Sequence, residues 1–122
     1  MLTPGMRVRV HFNLHKHDWS IVAMEGDKKG LVIARADNLT MTECTFKVSE
    51  PMRLKVVAKK CRSVHAWVHG RLAVTEAPSQ GASEFNYNPY RAPTFTVRGT
   101  WAPLWSARKV YFTTGGKAYA EE

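Results

Sequence analysis

This sequence is short of acid. Asp and Glu number 10 against 18 Lys and Arg, which leaves a formal charge of +8 and a pI near 9.8. Carboxylates so few and so scattered exclude the cage that a two-metal nuclease needs. Cysteine is nearly missing too. Cys44 and Cys61 are too few for a disulfide framework and lack metal-ligand spacing, so both are expected in or near the core as reduced thiols. No apolar run approaches the length of a membrane span. The start, Met1-Leu2-Thr3-Pro4-Gly5, lacks a signal-peptide pattern, so a cytoplasmic protein with no membrane partner is expected. Gly-rich phosphate loops, a Gly-x-Ser-x-Gly elbow and Cys-x-x-Cys pairs are all absent, and neither metal nor cofactor is expected.

What the chain does have is enough apolar residue for a core and a strong positive bias. Hydrophobic residues make up 44% of 122 positions, which suits one domain. A small domain this basic is disposed towards DNA, RNA or an acidic protein surface.

The most informative stretch is Val64-His65-Ala66-Trp67-Val68-His69-Gly70-Arg71-Leu72. Read as a strand, it turns Val64, Ala66, Val68 and Leu72 to one side and His65, Trp67, His69 and Arg71 to the other. Arg7 to Leu14 alternates in the same way, with Val8, Val10, Phe12 and Leu14 opposed to Arg7, Arg9, His11 and Asn13. Further strands are expected at Trp19–Met24, Leu31–Ala36 and Leu39–Val48, the last burying Thr42, Cys44, Phe46 and Val48. Short turns at Glu25–Gly30 and Asp37-Asn38 would join the first four strands into an antiparallel meander.

The period then changes. Ser49 suits an N-cap, Glu50 the positive end of the helix dipole and Pro51 the first turn. Leu54, Val57, Ala58 and Cys61 recur at helical spacing, so a helix from about Glu50 to Arg62 is expected to pack that face on the meander. Residues 77–106 carry four prolines and six aromatics and read as a long, partly ordered loop around a short strand at Thr94–Arg98. Lys109–Thr113 is expected as a final strand, followed by a tail. The fold class that results is α+β: an antiparallel sheet of about five to six strands with one main amphipathic helix on one face.

Three chemistries compete for these residues. Arg7, Arg9, His65, Trp67, His69 and Arg71 would form a basic-aromatic sheet face that pairs with phosphates and stacks on bases. The same pattern also suits the plain solvent face of a half-covered sheet. Lys59 and Arg62 would add backbone contacts from the helix, unless they merely flank its buried side. Tyr87, Tyr90 and Arg91, on a semi-rigid loop, suit partner contact or a cover over the sheet edge. Metal-free ribonuclease chemistry would need two imidazoles on one phosphate. His65 and His69 lie about 13 Å apart on one strand, so the weak catalytic candidates require His11 paired with His65 or His69.

Three segments together, Arg7–Lys16, Trp19–Val22 and Val64–Gly70, resemble small basic accessory proteins encoded by tailed bacteriophages and prophages. The resemblance spans roughly residues 6–75, with Tyr87–Arg91, and carries no activity, so no residue inherits a role from it. It implies a phage accessory protein acting in a bacterial cytoplasm. Such a protein is expected to bind nucleic acid or, as an anti-CRISPR-like inhibitor, a bacterial nucleic-acid-binding complex.

Overall fold

A computed structural model describes residues 2–13, 16–59, 64–87 and 94–122. The expected strands appear close to their predicted bounds: β1 (Arg7–Asn13), β2 (Asp18–Ala23), β3 (Val32–Ala36), β4 (Leu39–Val48) and, after the helix α1 (Glu50–Val57), β5 (Ala66–Ala73). Five more follow: β6 (Ser83–Asn86), β7 (Phe95–Val97), β8 (Pro103–Leu104), β9 (Ser106–Phe112) and β10 (Ala118–Glu121). Among the described residues these form one antiparallel sheet in the order β3-β2-β1-β5-β4-β9-β10-β6-β7-β8.

This overturns the α+β expectation. Among the described residues the protein is mostly antiparallel sheet with one short helix. Helix α1 buries no residue, and Leu54 and Val57 stay 54% and 49% exposed. It ends at Val57, and Lys59 adopts a left-handed φ of 62°, outside the helical range. Cys61 and Arg62 lie outside the described residues. The short strand expected at Thr94–Arg98 appears as β7, but the supposed loop around it also supplies β6 and β8, and the supposed tail supplies β10. The four-strand meander is also corrected: β1, β2 and β3 form one, but β4 leaves β3 and pairs with β5 and β9.

The sheet coils onto its own core. Neighbouring strands lie about 4.8 Å apart, so the four steps from β2 to β9 would cover about 19 Å if the sheet were flat. Yet the Trp19 and Phe112 rings are 4.6 Å apart, and Trp19 Nε1 donates to the Thr113 carbonyl at 3.0 Å. A chain of ring contacts continues from Trp19 to Tyr87, Phe95 and Phe46, at centroid distances of 5.3, 5.4 and 5.2 Å. These aromatics fill the concave side, which explains why no apolar surface remains there for the helix.

One irregularity shapes the outer side. Between β4 and β5 the register runs Thr42↔Arg71 and then Thr45↔His69, so Glu43 and Cys44 together oppose Gly70. This β-bulge puts Glu43 at φ 52° and changes the alternation along β4. Leu39 and Met41 are therefore buried along with Cys44 and Phe46, while Thr42 and Val48 are only half-buried, against the predicted set. A side chain at Gly70 would meet the Thr42 carbonyl oxygen at 2.7 Å, so the bulge requires glycine there.

Candidate nucleic-acid interface

The two strands singled out by their alternation are direct neighbours. β1 pairs with β5 in the register Arg7↔Arg71, Val8↔Gly70, Arg9↔His69 and Val10↔Val68. Val8, Val10 and Val68 enter the core, so Arg7, Arg9, Trp67, His69 and Arg71 share the outer side. On the far side of β5, Lys47 stands beside Trp67 and Thr45 beside His69.

Cations and aromatic meet at the centre of this surface. The Arg9 guanidinium carbon sits 4.8 Å from the Trp67 ring centroid, a cation–π arrangement. Arg9 Nε is buried and has no hydrogen-bond partner among the described residues. Arg71 donates to the Gly5 carbonyl at 2.8 Å and pairs with Glu43 at 3.4 Å. At the other margin, on β3, Arg35 lies 3.9 Å from Asp18. Arg7 and Lys47 carry no ion pair among the described residues, although the Arg7 backbone N–H donates to Glu25.

The imidazoles are pushed towards neutrality. Burial holds His11 below its ordinary value, and the nearby Arg9 lowers it further. His69 is lowered by burial first, then by Lys47 and Arg9. His11 lies two residues from Arg9, a diagonal neighbour of His69 at about 7–8 Å for such pairs. That is closer than two histidines on one strand, but neither imidazole is poised to hold the proton that a general acid must give.

Other expected contacts fall elsewhere. His65 precedes β5, so strand alternation does not govern it, and it is 6% exposed rather than outward-facing. Val64 is exposed rather than in the core. Tyr87 belongs to the interior: its ring contacts Trp19 and Phe95 and its hydroxyl donates to the Ala66 carbonyl at 2.7 Å. Burial pushes its phenol well above the usual range. Lys59 is exposed in the connection from β4 to β5. Arg62, Tyr90 and Arg91 lie outside the described residues. Cys44 is a free thiol whose buried setting pushes it up to about 12. Among the described residues no group of three His, Cys, Asp or Glu side chains is arranged to hold a metal, and no helix is long and apolar enough to cross a membrane.

Sequence reasoning missed Lys47, Thr45, Lys29 and Glu43. The first two were legible, because they alternate with Cys44 and Phe46 along β4. Lys29 reaches the surface from the β2–β3 turn, and Glu43 through a bulge, for which composition gives no signal.

Comparison with known proteins fits the phage resemblance. No solved structure matches this chain. The Gene 82 protein of Mycobacterium phage L5 is 34% identical over 122 residues, covering 94% of this chain and 97% of that protein. The family described as Mycobacterium phage L5 gene 82 protein matches residues 1–120. With near-complete coverage of both chains, this small phage accessory protein belongs to the Mycobacterium phage L5 gene 82 protein family.

Proposed function

We propose that this phage protein binds nucleic acid through the outward face of β1, β5 and β4, in the cytoplasm of the bacterial host. The Arg9–Trp67 stack carries the reading. A guanidinium over an indole extends a platform on which a base can rest, and Arg7, Lys47 and Arg71 supply charge for phosphates on either side. Neutral imidazoles at His11 and His69 offer hydrogen bonds without demanding a proton, which favours binding over phosphate cleavage.

The test is fluorescence anisotropy with labelled single-stranded DNA, RNA and duplex, across about 50–200 mM salt. With roughly three phosphates neutralised on a single strand, a log–log slope of about −2 is expected. Binding that ignores salt, or that survives the double change Arg9→Ala and Trp67→Ala intact, overturns the reading.

A second reading draws on a different place. Trp101 and Trp105 are 57% and 63% exposed near β8, and exposed tryptophans are frequent anchors at protein interfaces. A counter-defence inhibitor would grip a host nuclease complex with them. A pull-down from host lysate, with and without nuclease treatment, separates the two: a partner that survives the treatment and depends on Trp105 favours the inhibitor.

A further inference from the structure

Beside the Arg9–Trp67 stack the outer face holds a hollow of about 250 Å³. Arg7, Lys29 and Arg71 line it, with Glu43, Thr45 and His69. A water takes about 30 Å³, so the space suits a phosphate group that sheds part of its hydration. Arg7 and Arg71 are register partners on adjacent strands. Like charges directly opposite one another repel across a sheet, so an anion between them is favoured. The Arg7 guanidinium and the Lys29 ammonium have no hydrogen-bond or ion-pair partner among the described residues.

Glu43 is the acidic residue of this lining, while the Glu25 carboxylate beside it accepts from the Arg7 backbone N–H at 3.0 Å. The bulge opposite Gly70 gives it a left-handed backbone and brings its carboxylate to 3.4 Å from Arg71 Nε. Their side chains are 75% and 41% exposed, and so open a pair is weakly held. Arginine binds phosphate oxygens through two parallel N–H groups, and with Nη1 held by the Gly5 carbonyl the Nε side of Arg71, which faces Glu43, is the side left for an anion.

We propose that Arg7, Lys29 and Arg71 form a phosphate-binding seat and that the Glu43 carboxylate stands in for the phosphate until a nucleic-acid strand displaces it. The seat depends on the nucleic-acid reading for its occupant, but its anion chemistry is testable alone. Gly70 and the bulge make the seat, because together they place Glu43 against Arg71. Glu43 thereby lowers affinity for every anion and keeps Arg7 and Arg71, whose Nη1 is held by the Gly5 carbonyl, from holding small phosphates.

Two experiments separate the seat from the wider reading. In the first, amide chemical shifts of the full chain are followed as inorganic phosphate replaces chloride at constant ionic strength. The shifts should gather at Arg7, Thr45 and His69–Arg71. Glu43→Gln should tighten binding about threefold to tenfold, and Lys29→Gln should weaken it about threefold. Shifts spread evenly over the protein's cations, or an unchanged Glu43→Gln variant, overturn the seat.

In the second, oligonucleotides with and without a 5′-phosphate are compared on the same variants. A gain from the 5′-phosphate assigns the seat to a strand end. Equal affinities that still respond to Glu43→Gln assign it to an internal phosphodiester. Oligonucleotide binding that needs Trp67 but ignores Glu43 and Lys29 removes the seat and leaves the face. Inorganic phosphate in the seat with no oligonucleotide binding at all keeps the seat and removes the nucleic-acid reading.

Discussion

The two sides of β1 and β5 have opposite duties. On the inside, Val8, Val10, Val68 and Leu72 are sealed against an aromatic core. On the outside, the same strands present Arg7, Arg9, Trp67, His69 and Arg71 in register. The period of two lets one backbone serve both without compromise, because neither set of side chains shares space with the other. Stability and recognition should therefore be separable by substitution, with Gly70 and the bulge as the place where they meet.

The largest effect belongs to the inside. Trp19→Ala should lose about 3–5 kcal/mol, since the fully buried indole bridges Phe12, Tyr87 and Phe112 across the coiled sheet. Urea unfolding measures this, and a loss under about 1 kcal/mol would deny that these rings hold the coil together. Gly70→Ala comes next, at about 1–3 kcal/mol, because its new methyl meets the Thr42 carbonyl oxygen and that backbone must move. It should also disturb phosphate and oligonucleotide binding by moving Glu43, which no other core substitution should do.

How much of this was legible follows from the same alternation. Arg7–Asn13 was readable because it is long enough for a period of two to show, and Leu39–Val48 was readable as a strand, although the bulge hid which of its residues face the core. Their adjacency to Ala66–Ala73 was not, because the sheet order inserts β5 between β1 and β4 and nothing local encodes that. Leu54, Val57 and Ala58 recur at helical spacing, but spacing cannot reveal that the aromatics already occupy the surface they would pack on. Within 77–106 the sequence showed the strand around Phe95–Val97 but not β6 or β8, which are four and two residues long, too short to alternate, in a proline-rich stretch that looks like loop until neighbouring strands pair with it. The basic-aromatic face was therefore readable as two faces of two strands, while the seat at Glu43, which depends on a backbone angle, was not.

The outside is broken by a different set of changes. Trp67→Ala should weaken oligonucleotide binding by about 1–3 kcal/mol, roughly fivefold to 150-fold, by removing the stacking platform. Its stability should change little, by under about 1 kcal/mol, since the indole is only half-buried and its ring faces the Arg9 guanidinium rather than the core aromatics. Should Trp67→Ala unfold the protein as Trp19→Ala does, the two sides are not independent and the outer face is core after all. Lys47→Gln tests charge alone: affinity should fall a few-fold and the salt slope should flatten by about 0.7.

The smallest effect uses pH to push the two sides in opposite directions. His11 and His69 lie below their ordinary values when folded, through burial first and then neighbouring cations, and return to about 6.5 when unfolded. Between the folded values and about 6.5 the unfolded chain binds more protons than the folded one, so their contribution is fully present above that window and is lost as pH falls through it. Urea midpoints should drop from about pH 8 to about pH 5, and His69→Asn should flatten part of that drop. Protonation meanwhile adds charge to the outer surface, so oligonucleotide affinity should rise over the same interval. Bound nucleic acid would lift both imidazoles by placing phosphate near them, which makes the stability of the complex less sensitive to acid than that of the free protein. A complex that acid destabilises as steeply as the free protein would mean that phosphate does not approach these histidines, and would move the contact away from the Arg9–His69 pair.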